Sequence, residues 1–230
     1  YKKVFGSLPV NGDDPTIDTD FKVGLDGNAP TQAEQIYAEN KDSLLAIENV
    51  VHLDNLRGGR IAKLLEKYDK TPNAFDDIAL KNAHLGFTTQ ITLPAQLKFS
   101  DPSAISVTGL PQGFSAKTVA INGQTATVTV DFDNPDQITT IEALKDAMTG
   151  LHGEAVITIQ KIAFTESAAA DTDYQIDHLT QGTISVDVEK QLGVIVRPGQ
   201  PSPACPPNMG DYDTVEPAEP RSVLGTVFDP

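Results

Sequence analysis

Alternation of apolar and polar residues predicts β-strands over most of the second half of the chain. In residues 126–132 four apolar side chains alternate with threonines and one aspartate, so one face of the strand is buried and the other is wet. Residues 182–188 alternate in the same way, and residues 154–164 are rich in β-branched side chains. The run 78–93 predicts either one long strand or two short ones.

Helical spacing of apolar residues occurs in two places. Residues 60–68 carry an apolar stripe at i, i+3, i+4 and i+7, formed by Ile61, Leu64, Leu65 and Tyr68. The sequence Thr139-Thr-Ile-Glu142 is a capping box with Thr139 as the N-cap, and it predicts a helix that ends before Gly150.

The remaining local signals are turns and less regular strands. Asn122-Gly123 predicts a two-residue type I′ hairpin, because both central residues of that turn need positive φ. Residues 16–25 and 192–196 are interpreted as strands, and residues 31–34 as a capping box that opens a short helix. Residues 43–56 fit either a strand or a helix, with β-branched residues near the end favouring a strand.

The C-terminal part of the chain is rich in proline. Eight of the 16 prolines lie in residues 198–230, so this tail is predicted to be extended and exposed. It is interpreted as a spacer, or alternatively residues 221–228 form a strand that adds to a partner subunit. Cys205 lies within the proline run, either as a tolerated single thiol or as half of an intermolecular disulfide.

Together these elements predict a mainly β protein with an antiparallel sandwich, inserted short helices and a proline-rich C-terminal extension. We assign residues 1–74 to an N-terminal strand and helical elaboration, 75–196 to the sandwich and 197–230 to the acidic tail. Whether residues 1–74 form a separate domain is left open by the sequence. The single apolar stripe of residues 60–68 favours an elaboration, because such a helix must cover a sheet.

The order of motifs from about residue 85 to 188 resembles the Ig-like domains of Gram-positive bacterial surface adhesins and pilins. It comprises 87–94 (FTTQITLP), 107–111 (VTGLP), the Asn122-Gly123 hairpin, the helix at 139–149 and the stretch 170–186. The resemblance implies an Ig-like or pilin-like β-sandwich in a secreted, cysteine-poor protein at the extracellular cell surface, with a role in adhesion or filament assembly. The chain has no LPxTG-type sorting motif.

Some members of these families carry an isopeptide bond between a lysine and a buried asparagine or aspartate. The resemblance makes Lys98, Lys117 and Lys161 candidate donors, and Asp187 lies on the closing strand. The alternative is that these lysines are ordinary surface residues with their apolar stems on the sheet.

Net charge excludes several classes of partner. The chain has 17 Lys and Arg against 32 Asp and Glu, a net charge of −15, which disfavours nucleic acids and anionic lipid surfaces as partners.

No apolar run reaches the length of a transmembrane helix. With one cysteine, the chain has neither an intrachain disulfide nor a cysteine zinc site. We therefore expect protein partners, with self-assembly the leading possibility.

Two acidic turns are weak candidates for a calcium site. Asp18 and Asp20 are two residues apart, as are Asp171 and Asp173, and clustered carboxylates supply the hard oxygens that calcium prefers. Neither run fits the EF-hand spacing, and aspartate is also common in turns that bind no metal. Calcium is thus the one cofactor considered.

No catalytic motif is present. The chain lacks GxSxG, HExxH, P-loop and GxGxxG sequences, its four histidines are scattered, and it has no tryptophan to stack on sugars. We therefore predict a protein that is not an enzyme, with no catalytic or cofactor-binding residues. The expected function is an extracellular surface or filament subunit, pilus-like, that assembles by strand addition. The alternative is a secreted, monomeric ligand-binding module that either depends on calcium or recognises a protein.

Overall fold

The computed structural model describes residues 3–7, 16–27, 40–75 and 77–191. The predicted helix at 31–34, the strand at 192–196 and the whole proline-rich tail, with Cys205 and residues 221–228, lie outside these residues. Within them the protein is mainly β, as the alternation predicted, and every described strand pair is antiparallel.

Twelve strands and two α-helices follow one another in the described part of the chain. The strands are β1 (Lys3–Ser7), β2 (Thr19–Leu25), β3 (Leu45–His52), β4 (Ile78–His84), β5 (Phe87–Thr92), β6 (Leu97–Lys98), β7 (Ile105–Thr108), β8 (Phe114–Asn122), β9 (Thr125–Phe132), β10 (Glu154–Phe164), β11 (Asp177–Gly182) and β12 (Ser185–Gln191). The helices are α1 (Gly59–Lys70) and α2 (Ile141–Thr149). Short 3-10 helices span Leu53–Arg57, Pro72–Phe75, Pro102–Ala104 and Pro135–Gln137.

The strands form three sheets. The first has the order β2-β3-β10-β6, with β7 also paired to β10, and the second has the order β11-β5-β9-β8. The third, β1-β12-β4, continues the second, because β4 runs into β5 and β11 runs into β12 along the chain. Strand β3 pairs with β10 from Leu45–Ile162 to His52–Glu154, so residues from both sides of position 74 share one sheet.

One apolar core lies between the inner faces of the sheets. It joins side chains of the first sheet, such as Ile47 and Ile157, to side chains of the second, such as Phe87 and Val128, all at most 2 % exposed. Alternate residues of β9 are buried, which confirms the predicted face of residues 126–132. Helix α1 adds Ile61 and Leu64 to the same core.

A bend at Leu85-Gly86 divides the predicted run 78–93 into β4 and β5. A Cβ atom on Gly86 would lie 1.8 Å from the carbonyl oxygen of Val130 on β9, so only glycine fits at this position. The carboxylate of Asp131 fixes the bend, because its Oδ1 accepts the backbone N–H of Leu85 and that of Phe132, each at 2.7 Å. The other carboxylate oxygen lies 2.9 Å from His84 Nδ1.

The β8–β9 hairpin forms, but its turn lies one residue later than predicted. Asn122 pairs with Thr125, so Gly123 and Gln124 are the central residues. Gly123 has φ +61°, whereas Gln124 is not among the described residues with positive φ, which is the pattern of a type II′ turn and not of type I′. Gln124 sets this register through its side chain, which donates to the carbonyl oxygens of Leu93, Pro94 and Leu97.

Both predicted helices are present. In α1 Ile61 and Leu64 are fully buried, and the predicted stripe faces the core. Helix α2 ends at Gly150 as expected, but its N-cap is Thr140, whose Oγ1 accepts the N–H of Ala143 at 3.1 Å. The predicted N-cap, Thr139, was wrong because its carbonyl accepts the N–H of Leu80 on β4, so the helix begins one residue later.

Substitution of Gly86 by alanine tests the bend. We expect Gly86→Ala to lower the free energy of unfolding by about 3 kcal/mol, because the new methyl group overlaps the backbone of β9. Gly58→Ala is the matched control, since a Cβ there meets nothing within 4 Å, and its expected cost is about 1 kcal/mol or less. Urea denaturation of both variants measures the difference. Equal costs would show that the contact with Val130 does not govern the bend.

Candidate binding surface along the β8 edge

Strand β8 lies at one edge of the second sheet. It pairs with β9 along its length, and no other strand of the described residues pairs with it. Nine residues long, it is among the longest described strands and presents one side of its backbone to a further strand. Such an edge accepts an added strand through main-chain hydrogen bonds.

A β-bulge at Lys117 divides this edge. The register of β8 against β9 shifts between Ala116 and Thr118, which leaves Lys117 as the extra residue. Its Nζ lies 2.5 Å from Asp133 Oδ1 and 2.8 Å from Ser115 Oγ. The hydrogen bonds from Lys117 and Ser115 hold the pKa of Asp133 below its usual value. Because bulges and lysines discourage strand pairing, the uninterrupted part of the edge is residues 118–122.

A strip of partly covered apolar side chains follows the same edge. Val119 and Ile121 point toward the core but are only half-buried, whereas Ala126 and Val128, their neighbours on β9, are 2 % exposed. The difference arises because no described strand lies beyond β8. An added strand would cover this strip and gain hydrophobic stabilisation in proportion to the area removed from water.

A shallow groove opens at the start of β8, beside α2. Its volume is about 330 Å³, and its floor is apolar, with Phe114 and Ile138 buried and Phe132 half-buried. Phe114 and Phe132 meet edge to face, with ring centroids 5.3 Å apart. Polar groups stand around the floor, from Gln112, Gln137 and Asp146. The groove can hold an apolar side chain while these groups bond to the backbone or polar atoms of a ligand.

The opposite edge, where β2 and β11 meet, is closed. Thr16 forms a bridge to Gln181, and the N–H of Ile17 donates to the carbonyl of Thr180 at 2.8 Å. Phe21 of β2 stacks on His178 of β11, with ring centroids 4.2 Å apart and planes within 5°. Burial lowers the pKa of His178, and the smaller effect of Asp177 acts in the opposite direction. Within the described residues the two edges of the second sheet therefore differ, and β8 is the accessible one.

The predicted calcium residues do not meet in one cluster. Asp18 is exposed, while Asp20 lies 2.8 Å from Nε2 of His52, whose Nδ1 is 3.4 Å from Glu154. The other pair is exposed in the loop between β10 and β11, where Asp171 has φ +52° and is followed by Asp173. Across residues 16–27, 40–75 and 77–191, no group of three or more His, Cys, Asp or Glu side chains is placed to hold a metal. Calcium binding stays a prediction.

The isopeptide candidates lie on the surface. Lys98, Lys117 and Lys161 are all exposed, and Lys117 contacts Asp133, which is also exposed. The carboxylate of Asp187 accepts the side-chain N–H of Asn82 at 2.9 Å, not a lysine. Formation of an isopeptide bond needs a lysine that is shielded from water, and none of these three lysines is shielded in this way.

Sequence analysis missed the features that define this surface. Alternation marked β8 and β9 as strands, but nothing local marks β8 as an edge.

The buried amide of Asn49 was also not predicted. Its side-chain atoms have no hydrogen-bond partner among the described residues, and its register neighbours are Phe21 and Ile157. The signal for Asn49 was present, since a polar pair, Glu48-Asn49, interrupts the apolar run of β3.

Comparison of the chain with protein-family models, with curated proteins and with solved structures found no match. Among the helices of the described residues, none has the length and apolar character required to cross a membrane.

The stack of His178 on Phe21 predicts a pH dependence of stability. The lowered pKa means that the unfolded chain binds a proton more readily than the folded one, so stability is lost as the pH falls below about 7 and through the ordinary histidine pKa of about 6.5 that applies to the unfolded chain. We expect the melting temperature of the wild type to fall relative to that of His178→Phe, which keeps an aromatic ring but cannot be protonated. Melting curves of both proteins at matched pH values test this. A constant difference across this range would contradict it.

Proposed function

We propose that the protein is a non-catalytic extracellular subunit of a cell-surface structure or pilus-like filament, built on an Ig-like sandwich, with a structural or adhesive role. The observation that carries the proposal is the accessible edge of β8, with its half-buried apolar strip and the adjoining groove. Subunits join by adding a strand of one copy to this edge of the next.

The geometry of the edge suits strand addition. Residues 118–122 supply backbone donors and acceptors, which give affinity without dependence on sequence. Specificity comes from side chains, and the half-buried Val119 and Ile121 together with the groove floor at Phe114 accept apolar ones. Residues 221–228, interpreted above as a strand, are the donor that the sequence suggests.

The charge of the chain supports a protein partner. At −15 it repels phosphate backbones and anionic lipids, and an added strand needs neither. The resemblance of residues 85–188 to the domains of surface adhesins and pilins points in the same direction. The resemblance also implies an extracellular setting.

A second function rests on the groove itself. With an apolar floor at Phe114 and Ile138 and polar groups from Gln112, Gln137 and Asp146, it can bind a small ligand in a monomeric secreted protein. This alternative does not use the β8 edge, so the state of assembly separates the two functions.

Light scattering after size exclusion tests assembly and the role of β8. We expect the full chain to form large particles at low micromolar concentration and Ala120→Lys to be monomeric, because a lysine on an edge strand opposes pairing. Gln90→Lys is the matched control. It places the same charge in the same row of the exposed face, but on β5, which already has a strand on each side. This control is expected to assemble normally.

Removal of residues 198–230 tests the donor. If the tail donates the strand, the shortened chain stays monomeric even with an intact β8. A monomeric full chain would reject assembly and favour the ligand-binding module. Assembly that neither Ala120→Lys nor the deletion affects would place the contact elsewhere on the protein.

A further inference from the structure

Positive charge is concentrated in and just before helix α1. Residues 57–70 contain five basic side chains, Arg57, Arg60, Lys63, Lys67 and Lys70, and two acidic ones, Glu66 and Asp69. This segment therefore has a net charge of +3 (5 − 2) in a chain whose total is −15. A local reversal of sign in an acidic protein marks a surface that attracts carboxylates.

Three of these lysines form a stripe on one side of the helix. Lys63, Lys67 and Lys70 are spaced i, i+4 and i+7, which places them on a common face, away from the buried Ile61 and Leu64. Lys63 and Lys70 are exposed and Lys67 is half-buried. We name Lys63, Lys67 and Lys70 the lysine stripe.

Two of the three lysines in the lysine stripe lack a carboxylate partner among the described residues. Lys70 bonds to Glu66 at 2.9 Å, but neither Lys63 nor Lys67 has a carboxylate partner within the described part of the chain. Several lysines elsewhere in that part are matched, in the pairs Lys22–Glu48, Lys81–Glu189, Lys117–Asp133 and Lys145–Asp69. Two unmatched charges one turn apart repel each other, so a carboxylate brought between them relieves that repulsion.

The described chain ends close to this helix. Lys190 at the end of β12 is the register partner of Ile78 on β4. Ile78 lies three residues after Phe75, whose ring packs edge to face on Tyr68 of α1 with centroids 5.9 Å apart. The described chain therefore ends beside the C-terminal end of α1.

This following segment carries the complementary charge. Residues 211–219 contain four acidic residues and no basic one: Asp211, Asp213, Glu216 and Glu219. Nineteen residues lie between Gln191 and Asp211, and at about 3.1 Å per residue they span about 60 Å when extended. Helix α1 is about 18 Å long, from its 12 residues at about 1.5 Å each, so the acidic segment reaches all of it.

We propose that the acidic segment 211–219 docks on the lysine stripe of its own chain. Each exposed lysine–carboxylate pair contributes little by itself. Several pairs act together here, and the tether replaces a bimolecular encounter by an intramolecular one with a high effective concentration. The other acidic surfaces of the protein repel the segment, which gives the contact its specificity. Because the charges are exposed, added salt screens the contact.

The single cysteine allows a direct test on the full chain carrying Ala120→Lys, the variant expected to stay monomeric. A nitroxide spin label on Cys205, six residues before Asp211, broadens the amide NMR signals of residues near it. We expect the signals of Lys63, Lys67 and Lys70 to lose at least half of their intensity in low salt, and to recover in 0.5 M salt. Full intensity at these amides in low salt would overturn the proposal.

Charge reversal provides the matched comparison. The double variant Lys63→Glu with Lys67→Glu is expected to restore the α1 signals. The control is Lys98→Glu with Lys161→Glu, which changes the total charge equally at two exposed sites elsewhere. This control is expected to leave the broadening intact. Circular dichroism confirms that each variant folds. Broadening that survives the first pair, or disappears with the second, would overturn the contact.

Mixing distinguishes contacts within a chain from contacts between chains. Unlabelled protein with the nitroxide is added to isotope-labelled Cys205→Ser protein. We expect no broadening of the α1 signals in the mixture, because the donor and the stripe belong to one chain. Broadening there would show that the tail docks on a neighbouring copy, and the intramolecular proposal would be wrong. Because every sample in this experiment carries Ala120→Lys, strand addition at β8 is blocked, and the result is independent of the assembly that the scattering experiment tests.

Discussion

The close approach of Gly86 to the backbone of Val130 is the constraint on which the rest of the structure depends. At this point the chain passes from the third sheet into the second, and no side chain fits between the two strands. Asp131 completes the junction, because its carboxylate accepts the N–H groups of Leu85 and Phe132 that the bend withdraws from regular pairing. With β5 fixed against β9 in this way, the register of β9 fixes β8 in turn, and the edge and the groove follow from it.

The two edges of the second sheet differ in how they are protected from pairing with a further strand. On the β11 side, the chain before β2 crosses over and forms backbone hydrogen bonds at Ile17, while Phe21 stacks on His178. On the β8 side, the protection that the described residues provide is confined to the bulge at Lys117 and its pairing with Asp133. An edge that is partly protected is suited to a specific added strand and less suited to general aggregation. The groove beside Phe114 adds a place for a side chain of that strand, which is how such contacts acquire specificity.

The lysines of the described residues also differ in whether a carboxylate lies beside them. Four of the described lysines outside α1 face a carboxylate, whereas Lys63 and Lys67 have no carboxylate partner among the described residues, although the chain has nearly twice as many acidic as basic residues. The acidic residues 211–219 follow a described chain that ends next to the helix carrying these lysines. One surface of the protein is thus suited to backbone pairing and another to charge pairing. The two kinds of contact respond differently to salt, since only the second is screened.

The sequence by itself determined the two helices and the strands with clear alternation or β-branched runs, such as β9, β10 and β12, because alternation and helical spacing are local properties that burial of one face imposes. Strands β1, β6, β7 and β11 carried no such signal and were not predicted. It also determined the charge, and with it the basic helix and the acidic tail. It placed the β8–β9 turn and the α2 N-cap one residue too early, because the side chain of Gln124 and the N–H of Leu80 select these positions through contacts distant in sequence. It gave no sign that Asp131 would hold a bend, or that Asp20 would lie beside His52. Only the tertiary structure decided that β8 is an edge, because a strand becomes an edge through the pairing of all the others, which no local pattern records.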